Sequence, residues 1–227
     1  EEIKAQTNGK GCGDRSAIEA EVAAIKSEWM EEWTPVLQAD DEPLTYYRVI
    51  HELNQNLDLE NSIVTHDAGA PRDSIVPFFH ATTPHSFIGW GKTTHLGFGI
   101  PLMIGAKMAE PDKFCLNLMG DGAFGMSGTD IETAVRSKAA ITTVLLNNSA
   151  MATYTGPTQG NIGPEARERY GVSTMHGNYA NIAEGMGAVG IEVTKVSEMA
   201  PALQEAQRLN AAGQTVLIDV HANVEER

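Results

Sequence analysis

Two polar residues stand just past the ends of successive apolar runs. Asp121 follows CLNLMG at residues 115–120, and Asn148 follows ITTVLL at residues 141–146, with Asn147 between. Apolar, β-branched runs of this length read as buried strands. Each polar residue is then delivered at a strand's carboxyl end, where open α/β sheets bind ligands. The two lie 27 residues apart, room for one helix and the return strand. A carboxylate, an amide oxygen and a nearby backbone carbonyl are hard oxygen donors. They suit Mg²⁺, which takes few protein ligands and fills its shell from phosphate oxygens and water. Gly120 and Gly122 flank Asp121 and let the backbone approach an anion with its N–H groups turned inward. The pattern predicts a Mg²⁺–diphosphate site. The plainer alternative is a Gly-rich turn with an Asp cap and a separate Asn-Asn turn.

Other motifs compete. GDGAFG at residues 120–125 formally matches G-x-G-x-x-G. A dinucleotide site, however, wants an acid about 20 residues on, at the next strand end, and Asn147-Asn148 stands there. Asp121 would also face a pyrophosphate with a like charge unless a cation intervened. GKGCG at residues 9–13 lacks the order of a P-loop. His80, His85 and His95 fall in one loop-rich stretch and could handle protons on a substrate. Their spacing is not that of a zinc site.

The elements that must position these residues follow from periodicity. Residues 1–13 are polar and Gly-rich. Ile18, Val22, Ile25, Trp29 and Trp33 recur at helical spacing. The acids 40–42 and Pro43 read as the start of a second helix, with Leu44, Tyr47, Ile50 and Leu53 on its apolar face. Strands are expected at 62–65, 115–119, 141–146, 190–196 and 215–220, alternating with helices at 101–113, 129–138 and 178–188. A further helix is expected after a Ser197 cap, ending before Gly213. The expected fold is α/β, a mostly parallel sheet with helices on both faces. Residues 1–42 are expected to be a linker and helical tail, and 43–227 the ligand-binding domain.

Composition narrows the partners. The 227 residues carry 30 acidic and 16 basic side chains, a formal charge of −14. That charge offers no footprint for nucleic acid or an anionic membrane surface. No apolar run reaches the roughly 18–20 residues of a membrane span. Cys12 and Cys115 do not make a disulfide framework, so a reduced, cytoplasmic setting is expected.

The segment GDGAFGMSGTDIETAVRSKAAITTVLLNN, residues 120–148, resembles the thiamine diphosphate motif of the acetolactate synthase-like superfamily. HLGFGIPLMIGAKMAEPDK, residues 95–113, resembles the segment that precedes it. The resemblance covers roughly residues 45–225, the family's pyrophosphate-binding domain. It implies that Asp121, Asn148 and the Ala150 carbonyl ligate Mg²⁺. It implies that Gly120, Gly122 and Ala123, with Met151, hold the diphosphate. Leu96 stands where relatives place a bulky apolar wedge under the thiazolium, and the Thr94 carbonyl would accept from the 4′-amino group. Beside Leu96, His95 is the candidate for proton handling, and Tyr154 borders the substrate.

The sequence also departs from that family. DAGAPRD, residues 67–73, replaces the Gln-His-Gln pattern of acetolactate synthases. Arg72 could pair with the diphosphate or a substrate carboxylate, or be an ordinary surface arginine. The activating Glu of the family sits on a pyrimidine-binding domain that no segment here resembles. Glu52 and Glu60 read as surface residues of the second helix and its end. The expected activity is a thiamine diphosphate- and Mg²⁺-dependent C–C lyase or carboligase on 2-keto acids, this chain supplying half a site. The Glu would come from another chain or a missing N-terminal portion, in a homo- or hetero-oligomer. A 2-hydroxyacyl-CoA lyase acting on an acyl-CoA is the alternative, and a non-catalytic cofactor-binding subunit a third reading. FAD, used by some relatives, stays open.

Overall fold

Every strand pairing in the sheet is parallel, in the order β2-β1-β3-β4-β6-β5. The computed structural model describes residues 15–89, 91, 93, 95–151, 168–171 and 174–224. It forms two units, Glu1–Gln38 and Ala39–Arg227. The first contains α1 (Ser16–Leu37), with Trp29 and Trp33 one turn apart and ring centroids at 6.0 Å. Its stripe of Ile18, Val22 and Ile25 is exposed. Among the described residues no helix is long and apolar enough to cross a membrane.

The second unit begins with α2 (Tyr46–Asn56), which starts later than the acids and Pro43 suggested. Thr45 is the N-cap, its hydroxyl accepting the Arg48 N–H at 2.9 Å. A hydroxyl at this position satisfies an orphan N–H that the preceding acids do not reach. Leu44 is not helical; it forms a parallel bridge to Ala222. The helix therefore buries Tyr46, Val49, Ile50 and Leu53, leaving Tyr47 half-buried.

The chain then runs through β1 (Ser62–His66), α3 (Ala70–Ile75), β2 (Phe87–Ile88), α4 (Gly99–Ala109), β3 (Phe114–Gly120), α5 (Asp121–Ser127), α6 (Asp130–Arg136) and β4 (Thr142–Asn147). It closes with α7 (Tyr179–Gly185), β5 (Val189–Val193), α8 (Val196–Ala211) and β6 (Val216–His221). Ser197 lies inside α8 rather than capping it. Glu198 reaches back instead, accepting from Thr194 N and Lys195 N at 2.8 and 3.1 Å. Gly213, just past α8, takes a φ of 81°.

Alternation along the central strands serves both faces. Cys115, Met119, Ile141, Leu145 and Leu217 join one cluster with Ile100 and Met103 of α4, Phe124 of α5 and Tyr179 of α7. Leu116, Leu118, Val144, Leu146, Ile218 and Val220 are equally buried on the intervening positions. Both faces being covered is why these strands read as nearly continuous apolar runs. Burial pushes the Cys115 thiol up to about 11, which leaves it an inert core residue.

One close approach locks an edge. A Cβ on Gly190 of β5 would stand 2.4 Å from the Ala180 carbonyl oxygen of α7, a backbone atom that cannot swing away. Gly190→Ala is expected to cost more than about 2 kcal/mol, read by urea denaturation.

Candidate functional site

β1, β3 and β4 lie side by side, and the chain leaves β1 for one neighbour before returning to the other. Such a switch in strand order opens a crevice at the carboxyl ends. Gly120, the last residue of β3, is in register with Leu146 of β4. Asp121 and Asn148 therefore emerge from adjacent strands. They line one cavity of about 260 Å³ together with Tyr46, residues 68–72, Leu96, Gly120, Gly122, Ala123, Ala150 and Met151.

Asp121 opens α5 and is 1% exposed. Its Oδ1 accepts the Gly122 N–H at 2.7 Å, while its buried Oδ2 makes no hydrogen bond. Burial pushes its carboxyl up to about 6, against the backbone N–H groups of Gly122, Ser149 and Ala150, which favour the anion. A buried acceptor without a donor is costly, and a cation in this cavity would satisfy it. One carboxylate, one amide oxygen and a backbone carbonyl are hard donors that could hold a cation such as Mg²⁺.

Asn148 is held from two sides. Its Nδ2 donates to the Tyr46 hydroxyl, and its Oδ1 accepts the Ala150 N–H at 3.0 Å. Between them Ser149 turns through φ 56°, a left-handed conformation rare outside glycine. Asn147 faces the other way, donating from Nδ2 to Asp219 at 3.0 Å. A Cβ on Gly122 would stand 3.1 Å from Met151 Cγ, so glycine lets the strand-end loops close over one another.

Residues 67–220 match the family described as "Thiamine pyrophosphate enzyme, C-terminal TPP binding domain". The chain belongs to this family. It is 32% identical over 200 residues to a Bacillus subtilis (strain 168) protein provisionally named thiamine pyrophosphate-containing protein YdaP, covering 86% of this chain and 33% of that one. It is 31% identical to a provisionally named acetolactate synthase large subunit, IlvB2, of Mycobacterium tuberculosis, over 79% of this chain and 31% of the relative. A 2-hydroxyacyl-CoA lyase of Saccharomyces cerevisiae is 26% identical over 74% of this chain and 29% of its own length. The chain thus spans about a third of the length of these curated relatives. Among solved structures, the thiamine diphosphate-dependent 4-hydroxybenzoylformate decarboxylase of Rhodococcus jostii RHA1 superposes with a TM-score of 0.69 at 24% identity. That match covers 81% of this chain and 33% of the other, a likeness of fold.

As a member of this family, the chain brings Leu96, Gly120, Asp121, Gly122, Ala123, Asn148, Ala150 and Met151 to one cavity. Arg72 lines it too, its guanidinium paired with Asp73 at 2.5 Å. His95 is exposed and outside the cavity lining, and His80 and His85 are also exposed. Thr94 and Tyr154 lie outside the described residues. Glu52 is not a surface residue. It is buried in α2, paired with Arg48 at 3.0 Å and accepting from Asn56, which removes it as a free acid. Glu60 is exposed.

Sequence reasoning missed Tyr46, whose apolar spacing gave no sign of a polar duty. Removing its hydroxyl frees the Asn148 amide. Tyr46→Phe is expected to weaken Mg²⁺-dependent binding of thiamine diphosphate by about tenfold, the usual scale for a residue that orients a metal ligand. Isothermal titration checks it, with unchanged folding by circular dichroism as the control.

Proposed function

We propose that this chain supplies the diphosphate- and Mg²⁺-binding half of a thiamine diphosphate-dependent C–C lyase or carboligase acting on 2-keto acids, acetolactate synthase-like. The observation that carries this reading is the buried Oδ2 of Asp121, which makes no hydrogen bond, on a residue that lines one cavity with Asn148 and Ala150. Asp121, Asn148 and the Ala150 carbonyl hold the metal. The N–H groups of Gly122 and Ala123, with Met151, receive the diphosphate. Leu96 supports the ring end of the cofactor. Thiamine diphosphate supplies the carbanion chemistry next to a carbonyl, while the protein orients and desolvates it. Arg72, steadied by Asp73, stands where a substrate carboxylate can pair with it.

The activating Glu belongs to a pyrimidine-binding domain, on a second chain or an N-terminal portion, so the working form is an oligomer or a longer protein. A second reading, 2-hydroxyacyl-CoA lyase, is favoured by residues 68–72, which line the cavity without the Gln-His-Gln pattern, and by the yeast relative.

Native mass spectrometry of the purified chain, with Mg²⁺ and thiamine diphosphate added, tests the reading. The expected result is a mass increment for one cofactor and one metal per chain, lost on chelation. No binding with or without Mg²⁺ overturns it. Pyruvate carboligation and 2-hydroxyacyl-CoA cleavage, assayed with a pyrimidine-domain partner, separate the two activities.

A further inference from the structure

Asp67 follows β1 and is fully buried. Its carboxylate spends both oxygens on backbone N–H groups. Oδ1 accepts from Ala68 at 2.8 Å and Gly97 at 2.9 Å, and Oδ2 accepts from Gly99 at 3.1 Å. Two of these donors lie some thirty residues away: Gly97 directly follows Leu96 on the loop into α4, and Gly99 is the first residue of that helix. That helix has no cap of its own, since Phe98 at its N-cap position makes no side-chain cap bond. Asp67 therefore caps α4 from a neighbouring strand and fixes the turn that aims Leu96.

The turn leaves little slack on its other side. Gly97 takes a φ of 85°, and a Cβ there would stand 3.1 Å from Met126 Cβ in α5. The loop is pinched between the carboxylate and the helix that begins with Asp121. Leu96 follows the same path and lines the cavity. Only an acid can fill this role in full. An amide in the same place offers one acceptor oxygen and turns its NH₂ toward an N–H group.

We propose that Asp67 is a positioning residue of the cofactor site: it clamps the Gly97 and Gly99 amides so that Leu96 is held at the ring end, remote from the metal and diphosphate. This rests on the reading of Leu96 given above. Asp67 acts on the ring end, whereas Asp121 and Asn148 act on the diphosphate end. The two ends therefore separate by ligand. Inorganic pyrophosphate with Mg²⁺ reports only the second, and thiamine diphosphate reports both.

The test titrates the full chain and its Asp67→Asn variant with each ligand in Mg²⁺, and follows amide exchange of residues 95–103 by mass spectrometry without ligand. The expected result is a loss of about tenfold or more in thiamine diphosphate affinity, pyrophosphate affinity within about twofold, and faster exchange in that segment. Leu96→Ala should reproduce the ligand pattern, and the double variant should be no worse than the single ones, since coupled residues are not additive. Equal losses for both ligands would mean general loosening and overturn the proposal, as would unchanged exchange in Asp67→Asn. Should wild type bind neither ligand, the cofactor reading fails and the role assigned to Asp67 in this site fails with it, whereas the clamp itself is still decided by the exchange. If Asp67→Asn does not fold, Leu96→Ala carries the ligand comparison. Slow exchange at Gly97 and Gly99 in wild type is then expected, and rapid exchange there defeats the clamp.

Discussion

Asp121→Asn is expected to abolish Mg²⁺-dependent binding of thiamine diphosphate and, in the same sample, to raise the thermal stability of the metal-free chain at neutral and higher pH. Both effects come from one buried carboxylate. Its pKa is raised from 3.8 to about 6, first by burial. An acid whose folded pKa is raised binds its proton more tightly when folded. Its contribution to stability is complete below the unfolded pKa near 3.8 and is lost as pH rises through about 6. Above that pH the charge costs about 3 kcal/mol, from about two pKa units at 1.36 kcal/mol each. Asparagine keeps the shape without the charge but brings an NH₂ that needs a partner, so the net gain is about 1–2 kcal/mol. For a chain of this size that is roughly 2–8 °C in Tm. Scanning calorimetry in chelator at pH 8 and pH 4 checks it. The variant should melt higher at pH 8, and at pH 4, where only the unpaired NH₂ still counts, the order should reverse. A variant that melts lower at pH 8, or that still binds the cofactor with Mg²⁺, would refute the assignment. A residue that destabilises the empty fold and is needed by the bound one is the mark of a functional group.

How much of this was legible in the sequence depended on range. Asp121 and Asn148 were readable because each sits at the end of an apolar run, and two parallel neighbours bring their carboxyl ends together without further information. Five of the six described strands were readable for the same reason; β2, only two residues long and partly buried, was not. The start of α2 was not, because three acids and a proline look like start signals while Thr45 supplies the actual cap. Ile50 and Leu53 face inward in both readings. Counting back from Ile50 in steps of three reaches Tyr47, whereas the i−4 neighbour Tyr46 is the buried one, and the partner of Asn148 was hidden with it. The helix α5 was equally hidden, since Gly122 and Gly125 disfavour helix by about 1 kcal/mol each and GDGAFG reads as a loop. Packing of Ala123 and Phe124 against the sheet overrides that preference. Asp67 and Asp219 were beyond reach. Their partners stand dozens of residues away, and nothing in local spacing announces a carboxylate that closes a long-range gap.

Asp219→Ala is expected to be among the most damaging single changes in this fold. The side chain is 1% exposed on β6. Its Oδ1 accepts from Asn147 Nδ2 at 3.0 Å, and its Oδ2 accepts the Tyr179 and Ala180 N–H groups at 2.9 and 3.3 Å. One carboxylate thus ties the end of β4 to β6 and caps α7. The Tyr179 ring in turn meets Phe124 of α5 edge-on at 5.3 Å, so the anchor reaches the helix that opens with Asp121. Alanine leaves three donors without an acceptor in a buried place, together with a small void. The expected cost is about 3–5 kcal/mol, a fall of roughly 6–20 °C in Tm. Asp219→Asn keeps one acceptor oxygen for the start of α7, and the Asn147 amide can flip to meet the new NH₂, so it should recover more than half of the loss. It also removes a negative charge that helps raise the Asp121 pKa, so that pKa should fall toward the ordinary carboxylate range. Chemical denaturation of both variants decides the matter: an alanine variant within about 1 kcal/mol of wild type would mean that these three hydrogen bonds are replaced by water at no cost.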